Sequence, residues 1–380
     1  MRCLFVAPLK APDHPVPSGD RTIARLFVRL LEGLGYTVVP AWGLSTFARD
    51  ARSTDEMARL ELAALNATEH ILEREAVNQA GPPDFVFSYH VYYKAPDLVG
   101  PELARRFGIP YVLAEASLAP KRLAGPFHLG EILAQKAIAA ANLILCPTAR
   151  DREMLERARP PDQALVDLKP FIALEDWRAT LALPRVENAV PRLLTVAMMR
   201  QGNKWMSYSM LAEALIQLTD VPWHLDIIGD GTMRSAVEEA FAPLGSRITF
   251  HGAMTDRKAQ GAFYQAADLF VWPGVNEAFG MVFLEAQAHG VGCLAGHFGG
   301  IEDVIEHGRT GILIEQCDAS RYAQNLRALL SDTQGRSELG VAARKFVFQD
   351  RNLAKAGDTL RSALASLGIA GARIETEARP

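Results

Sequence analysis

The sequence lacks the features of membrane, disulfide-rich and nucleic-acid-binding proteins. Its 380 residues contain no apolar run near the roughly 20 needed to span a bilayer, and the apolar start is too short for a signal peptide. Its four cysteines are scattered, so we expect reduced thiols in a cytoplasmic protein. A net charge of −4 gives no basic footprint for nucleic acid. Without an Asp-x-Asp motif or metal-ligand spacing, no metal site is predicted.

Alternating strand and helix patterns run from end to end and predict an α/β protein with doubly wound parallel sheets. The length favours two domains, which we place at residues 1–170 and 171–350, followed by a segment at 351–370 and a tail at 371–380. A short helix is expected from Ile301 to Glu306. In such folds, ligands bind beyond the carboxyl ends of the strands.

The segment from Val275 to Glu285 holds two carboxylates around a helix start. Glu277 follows a predicted buried strand, and Glu285 lies one to two turns into a helix that begins near Gly280. The backbone amides of Phe279, Gly280 and Met281 would lie at the helix N-terminus, where anions bind. A surface loop glutamate plus a helix glutamate in a salt bridge is the plainer alternative, but their apolar neighbours weaken it. Amides for phosphate and carboxylates for hydroxyl groups together suit a sugar nucleotide.

Two cations follow the first strand of the second half. Arg200 and Lys204 lie in a predicted loop before a helix from Ser207, where they would clamp a diphosphate or remain solvated. Farther on, Gly229 opens a Gly-Asp-Gly turn. A dinucleotide fingerprint would need a third glycine where Arg234 stands, so a tight turn between strand and helix is favoured.

The first half offers three candidates after strands. Gly19 would let backbone approach a ligand, or Asp20 would simply cap the helix that follows. His90, predicted in a tyrosine-rich loop, suits a sugar or acceptor, although a core histidine is the safer interpretation. Glu115 would orient a hydroxyl nucleophile or pair with Lys121 or Arg122.

One face of the first long helix carries Arg21, Arg25 and Arg29. Such a face is solvated or favours an anionic acceptor or a lipid surface.

With these residues in hand, the chain resembles the GT-B glycosyltransferases, specifically family 4 of the retaining enzymes. The resemblance is most specific from about Leu193 to Leu330 and looser in the first half. The landmarks occur in the family's order: Arg200/Lys204, Gly229-Asp230-Gly231, Phe250-His251-Gly252, Asp268-Leu269-Phe270-Val271, Glu277-x7-Glu285, Gly299-Gly300-Ile301-Glu302-Asp303-Val304 and Gly308-Arg309-Thr310-Gly311.

This resemblance implies two Rossmann-like domains facing across a cleft, with a C-terminal helix, Leu353 to Leu367, crossing back to the first domain. It implies a UDP- or GDP-linked sugar as co-substrate, no cofactor and no metal. Transfer would retain configuration by a front-face reaction. Glu285 would bind ribose, Glu277 the donor sugar, and Arg200 and Lys204 the diphosphate. The other donor-binding positions would be Phe279, Gly280, Met281, Val282, Gly19, Gly229 and Gly252.

The sequence departs from the family pattern at two places. Met198 stands where the family's arginine usually lies, so Arg200 would take over its role. Glu115 stands where the family commonly has a histidine, so Glu115 or His90 would compensate.

The implied partners are the nucleotide sugar and a hydroxyl-bearing glycan, lipid or small molecule. We expect a cytoplasmic monomer or homodimer with peripheral contact at the inner membrane face. A GT-B sugar-nucleotide epimerase and a non-catalytic sugar-nucleotide-binding protein are the alternatives.

Overall fold

The computed structural model describes residues 1–16, 18–41, 44–48, 54–186 and 188–369. The chain divides into two compact units. The first contains Met1–Lys169 together with the chain from Ala354 onward, and the second is Pro170–Leu353. The predicted tail at 371–380 lies outside the described residues.

Six parallel strands form the sheet of the first unit, in the order β2-β1-β3-β4-β5-β6. They are β1 (Arg2–Val6), β2 (Thr37–Pro40), β3 (Phe85–Val91), β4 (Tyr111–Ala116), β5 (Leu143–Cys146) and β6 (Ala164–Asp167). The central strands are mostly apolar and almost wholly buried, as expected for a sheet covered on both faces. The strand order reverses between β1 and β3, which is where ligands bind in open α/β sheets.

Helices α1 (Gly19–Gly33), α2 (Thr54–Ala76), α3 (Gly100–Phe107), α4 (His128–Ala140) and α5 (Ala149–Ala158) follow strands of this sheet or cover it. The hydroxyl of Ser18 caps α1 by accepting from Arg21 N–H, so the predicted cap at Asp20 is wrong. The sequence analysis missed α5 and β6. Helix α5 is highly charged and buries only Leu155, while β6 is a four-residue edge strand without a fully buried residue.

The second unit repeats the architecture with six parallel strands in the order β12-β11-β10-β7-β8-β9. They are β7 (Arg192–Val196), β8 (His224–Ile228), β9 (Ile248–Phe250), β10 (Leu269–Val271), β11 (Gly292–Gly296) and β12 (Gly311–Ile314). Here the order reverses between β7 and β10, which pair directly. The predicted class of two doubly wound, Rossmann-like sheets is confirmed.

The helices of the second unit are α6 (Arg178–Leu181), α7 (Asn203–Ile216), α8 (Arg234–Phe241), α9 (Arg257–Ala266), α10 (Met281–Ala288), α11 (Ala319–Ser331) and α12 (Thr333–Asp350). The predicted helix from Ile301 to Glu306 is only a 3-10 turn, Ile301–Asp303. None of the helices in the described ranges is both long and apolar enough for a membrane span.

Helix α13 (Leu353–Ser366) returns to the first unit, as predicted for the C-terminal helix. Its Gly357 lies against Leu30 and Leu34, where an added Cβ would come within 3.6 Å of either side chain. Leu360 and Leu364 on the same helix are fully buried. Helix α13 is therefore part of the first hydrophobic core.

Candidate functional site

The best-defined polar site of the second unit lies where its strand order reverses. The loops after β7 and β10 leave neighbouring strands at their carboxyl ends, so their residues meet. Lys204, predicted in a loop, lies in the first turn of α7. Its Nζ is 2.6 Å from Oε2 of Glu277. The two side chains retain 25% and 19% exposure, so a ligand can reach this pair.

The surroundings hold Glu277 in place. Trp272 Nε1 donates to the same carboxylate oxygen at 3.4 Å, and Lys204 Nζ lies 5.4 Å from the Trp272 ring centroid. The backbone N–H of Val275 donates to the Ser207 hydroxyl at 2.9 Å, which ties the loop to α7. Sequence analysis missed Trp272, although its position at the end of the strand before Glu277 could have signalled it.

Arg200 is not drawn into this cluster. Its side chain is exposed and makes no ion pair within the described ranges. The structure therefore brings together Lys204 and Glu277 but leaves Arg200 free in the loop.

The start of α10 offers backbone donors. Gly280 precedes the helix with φ of +79°, in the left-handed region that favours glycine. The N–H groups of Gly280, Met281 and Val282 have no acceptor among the described residues, while Phe279 is buried beside them. Free N–H groups at a helix N-terminus attract anions.

Glu285 is the fifth residue of α10 and is only 7% exposed. Its Oε1 pairs with Arg257 Nη1 at 3.0 Å, and the Tyr264 hydroxyl donates to Oε2 at 2.9 Å. Burial, together with the Glu285 charge, raises the pKa of Tyr264. Each of the two glutamates is in a salt bridge, Glu277 with Lys204 and Glu285 with Arg257, but Glu285 is buried and not on the surface. Both Arg257 and Tyr264 were missed.

Glycines set the spacing of the loops around the site. A side chain at Gly229 would overlap the Ala197 carbonyl, and one at Gly231 would overlap that of Met199, so the loop after β8 lies on the loop after β7. Gly229 N–H donates to the carbonyl of Gly252 at 2.8 Å. Likewise, a side chain at Gly299 would overlap the Glu277 carbonyl. The tight-turn interpretation of Gly229 fits this packing.

The first unit has a polar cluster at its own reversal point. His90 and Glu115 were predicted to follow strands. They instead lie within β3 and β4, near the strand ends, and both have a positive φ. His90 Nδ1 is 3.1 Å from Asp20 Oδ1 and 3.6 Å from Glu115 Oε1. Glu115 therefore faces His90, and the predicted ion pair with Lys121 or Arg122 is wrong.

Burial and charge act against each other in this cluster. Burial lowers the pKa of His90, but the Glu115 charge and the Asp20 hydrogen bond outweigh it and raise the value to about 9. Burial raises the pKa of Glu115 despite the opposing charge of His90. His90 is thus a cation at neutral pH. Gly19 starts α1 beside the cluster, and no atom within 4 Å would meet a Cβ there.

Two of the three arginines on α1 donate hydrogen bonds to backbone carbonyls of the preceding loop. Arg21 Nη1 donates to the His14 carbonyl at 2.9 Å, and Arg25 Nε donates to that of Pro12 at 2.6 Å. They hold the loop before the helix. The described residues contain no group of three or more His, Cys, Asp or Glu side chains suited to a metal ion.

Known proteins resemble both the sequence and the fold. The family model described as Glycosyl transferases group 1 matches residues 190–332. Sulfoquinovosyl transferase of Arabidopsis thaliana is 30% identical over 164 residues, covering 42% of this chain and 31% of that protein. A D-inositol 3-phosphate glycosyltransferase of Frankia alni is 28% identical over 332 residues, with 77% of each chain covered.

Two solved structures show the same fold over nearly the whole chain. Sucrose-phosphate synthase from Thermosynechococcus elongatus has a TM-score of 0.73 at 17% identity, covering 97% of this chain and 99% of that one. Anabaena HepE in complex with UDP-glucose has a TM-score of 0.68 at 16% identity, covering 96% and 100%. The comparisons give no support to the epimerase or the non-catalytic alternative. Residues 190–332 therefore match the group 1 glycosyltransferases, and the chain has the GT-B fold of its structural neighbours.

Proposed function

We propose that this enzyme transfers a sugar from a nucleotide-diphospho-sugar to a hydroxyl acceptor with retention of configuration and without a metal. The observation that carries the proposal is the Lys204–Glu277 pair beside the free N–H groups that start α10. A cation and backbone donors suit a diphosphate, and a carboxylate suits sugar hydroxyls. The arrangement lies at the strand-order reversal, where α/β folds bind ligands.

In this proposal the diphosphate lies on the N–H groups of Gly280 to Val282, with Lys204 and the exposed Arg200 side chain as counterions. Glu277 accepts hydrogen bonds from the donor sugar. The bond between the anomeric carbon and the phosphate oxygen breaks, and the diphosphate leaves with the electron pair. The acceptor oxygen bonds to the same face of that carbon, while its proton passes to the departing phosphate oxygen. Positioning and charge stabilisation supply the catalysis.

Glu285 would bind the donor ribose in this scheme. Because both of its oxygens already have partners, the ribose hydroxyls would share them with Arg257 and Tyr264. Carboxylate oxygens have several lone pairs, so such sharing is compatible with their chemistry.

The donor is proposed to be UDP- or GDP-linked. The complexes of Anabaena HepE with UDP and UDP-glucose favour testing UDP first. His90 and Glu115 are proposed to act on the acceptor. We infer a cytoplasmic monomer or homodimer with peripheral membrane contact.

The experiment compares wild type, Glu277→Ala and Glu213→Ala, an exposed control on the same helix as Lys204. Thermal shifts with UDP, GDP and ADP, with and without sugars, identify the donor, since binding to the folded state raises Tm. We expect Glu277→Ala to keep the nucleotide shift and lose transfer by roughly 100-fold or more. EDTA should change neither the thermal shift nor the rate of transfer. Wild-type turnover by Glu277→Ala, or a strict metal requirement, would contradict the proposal.

A further inference from the structure

A row of rings extends from the polar cluster of the first unit. We call His90, Tyr92, Tyr93 and Phe127 the aromatic row. Successive ring centroids lie 5.0, 5.4 and 5.2 Å apart, and no contact between the rings of His90 and Tyr93 occurs in the described part of the chain. The two tyrosines are partly exposed. Aromatic faces of this kind pack against the apolar faces of sugars.

One end of the aromatic row is acidic. Asp20 and Glu115 flank His90, and the Asp20 side chain is 36% exposed. Glu115 is 8% exposed, and neither its Oε2 nor the buried Tyr89 hydroxyl makes a well-formed hydrogen bond within the described residues. The two side chains are nonetheless close enough for the Glu115 charge to help raise the pKa of Tyr89, so together they offer an acceptor and a donor. This end suits the hydroxyl groups of a ligand.

The other end is basic. Lys94 Nζ lies 5.8 Å from the Tyr93 centroid and 5.5 Å from that of Phe127, and the Arg122 guanidinium lies 5.2 Å from both. Neither cation pairs with a carboxylate of the described ranges, whereas Arg105 and Arg106 of the same unit both do. Cations held on ring faces without a carboxylate suit an anionic group.

We propose that the aromatic row binds an acidic oligosaccharide as the sugar acceptor. The reacting hydroxyl would lie at Asp20, His90 and Glu115, and a uronate or phosphate on the neighbouring sugar would lie at Lys94 and Arg122. This inference deepens the proposed function and rests on it, because the bound oligosaccharide is an acceptor only if the enzyme transfers a sugar.

The acidic and basic ends of the aromatic row lie two ring contacts apart. This spacing distinguishes the site from one that binds a phosphorylated monosaccharide. In a cyclitol phosphate such as D-inositol 3-phosphate, as in a phosphorylated monosaccharide, the anion and the hydroxyls share one ring. Such a ligand would reach one end of the row but not both. We therefore expect it to bind more weakly than an acidic disaccharide.

The test uses the full chain on an array of neutral, uronate-bearing and phosphate-bearing oligosaccharides, with D-inositol 3-phosphate titrated separately. Wild type should retain acidic members at least about tenfold better than neutral ones of equal length, and added salt should reduce the preference. Arg122→Gln and Lys94→Gln should abolish it. The matched control is Arg105→Gln, an exposed arginine of the same unit. The uronate and phosphate arms identify the anion.

Equal binding of neutral and acidic members, or a preference that survives both substitutions, would overturn the inference. The nucleotide thermal shift of wild type is measured on the same preparation. A shift with UDP or GDP but no acidic preference would sink this inference alone. An acidic preference without any nucleotide shift or transfer would instead sink the proposed function.

Discussion

Glu285, the proposed ribose ligand, also holds its unit together. Its carboxylate bridges α10 to α9 through Arg257 and Tyr264, and the Arg257 guanidinium lies 4.5 Å from the Trp177 ring centroid. Removing the carboxylate leaves a buried hydroxyl and a cation without their partner. Such losses are expensive because neither group regains full hydration.

We predict that Glu285→Ala lowers the free energy of unfolding by roughly 2–3 kcal/mol, a value reduced for the partly exposed arginine. Nucleotide affinity should fall as well. Glu238→Ala, which removes an exposed pair with Arg234, should change the stability much less than Glu285→Ala does. Denaturant titration of both variants checks this, and equal stability of the two would refute the structural role of Glu285.

His90 should make the first unit sensitive to pH. Its pKa of about 9 lies above the ordinary 6.5, so the folded protein keeps this proton to higher pH than the unfolded chain does. The stabilisation is complete below pH 6.5 and disappears as the pH rises to about 9. Its upper limit is roughly 3 kcal/mol.

We predict that between about pH 6 and about pH 9.5 wild type loses more stability than His90→Gln does. His128→Gln, at an exposed position of the same unit, should follow wild type. Denaturation midpoints at the two pH values are the measurement. Parallel losses in wild type and His90→Gln would show that this proton does not stabilise the fold.

At the scale of elements, the site depends on loops that touch through glycine. Gly299, after β11, lies directly on the Glu277 carbonyl, and Gly300 N–H donates to that of Ala278 at 2.8 Å. Gly308 has a similar left-handed φ, +74° against +60°, but no atom within 4 Å would meet its Cβ. Substitutions at Gly299 and Gly308 therefore distinguish the effect of close approach from the effect of backbone strain.

We predict that Gly299→Ala displaces the Glu277 loop and reduces transfer by roughly tenfold or more, because misplaced groups lose their catalytic contribution. Gly308→Ala should lose about 1 kcal/mol of stability through strain while keeping activity. Transfer assays, corrected for the fraction of folded protein, compare the two variants. Equal activity of the two variants would show that the contact at Gly299 does not position Glu277.

At the scale of the whole molecule, the first core is completed by the last helix. Leu360 of α13 is fully buried, and Gly357 lies against Leu30 and Leu34 at the end of α1. The second unit has its own sheet and core. A cavity in α13 should therefore weaken the first unit selectively.

We predict that Leu360→Ala lowers the stability of the first unit by about 2–4 kcal/mol. Hydrogen exchange should become faster in α1 but stay unchanged in the strands of the second unit. The control is Leu62→Ala, at a position 60% exposed in the same unit, which should have little effect. Unchanged protection in α1 would mean that α13 does not support it.

The sequence by itself determined the two doubly wound sheets and the candidate loops. Alternating apolar runs specify buried strands and covering helices through local periodicity, and Glu277, Lys204 and Glu285 could be placed relative to those runs. Two elements with weak apolar patterns could not be predicted, because α5 has one buried residue and β6 is a short edge strand.

Only the tertiary structure decided which side chains meet. The pairing of Lys204 with Glu277 joins residues 73 positions apart, and that of His90 with Asp20 joins residues 70 apart. Both depend on which strands become neighbours and where their carboxyl ends lie. The positive φ at His90 and Glu115 likewise depends on the surrounding fold. Periodicity reports which face of an element is buried, whereas strand order and register determine what that face touches.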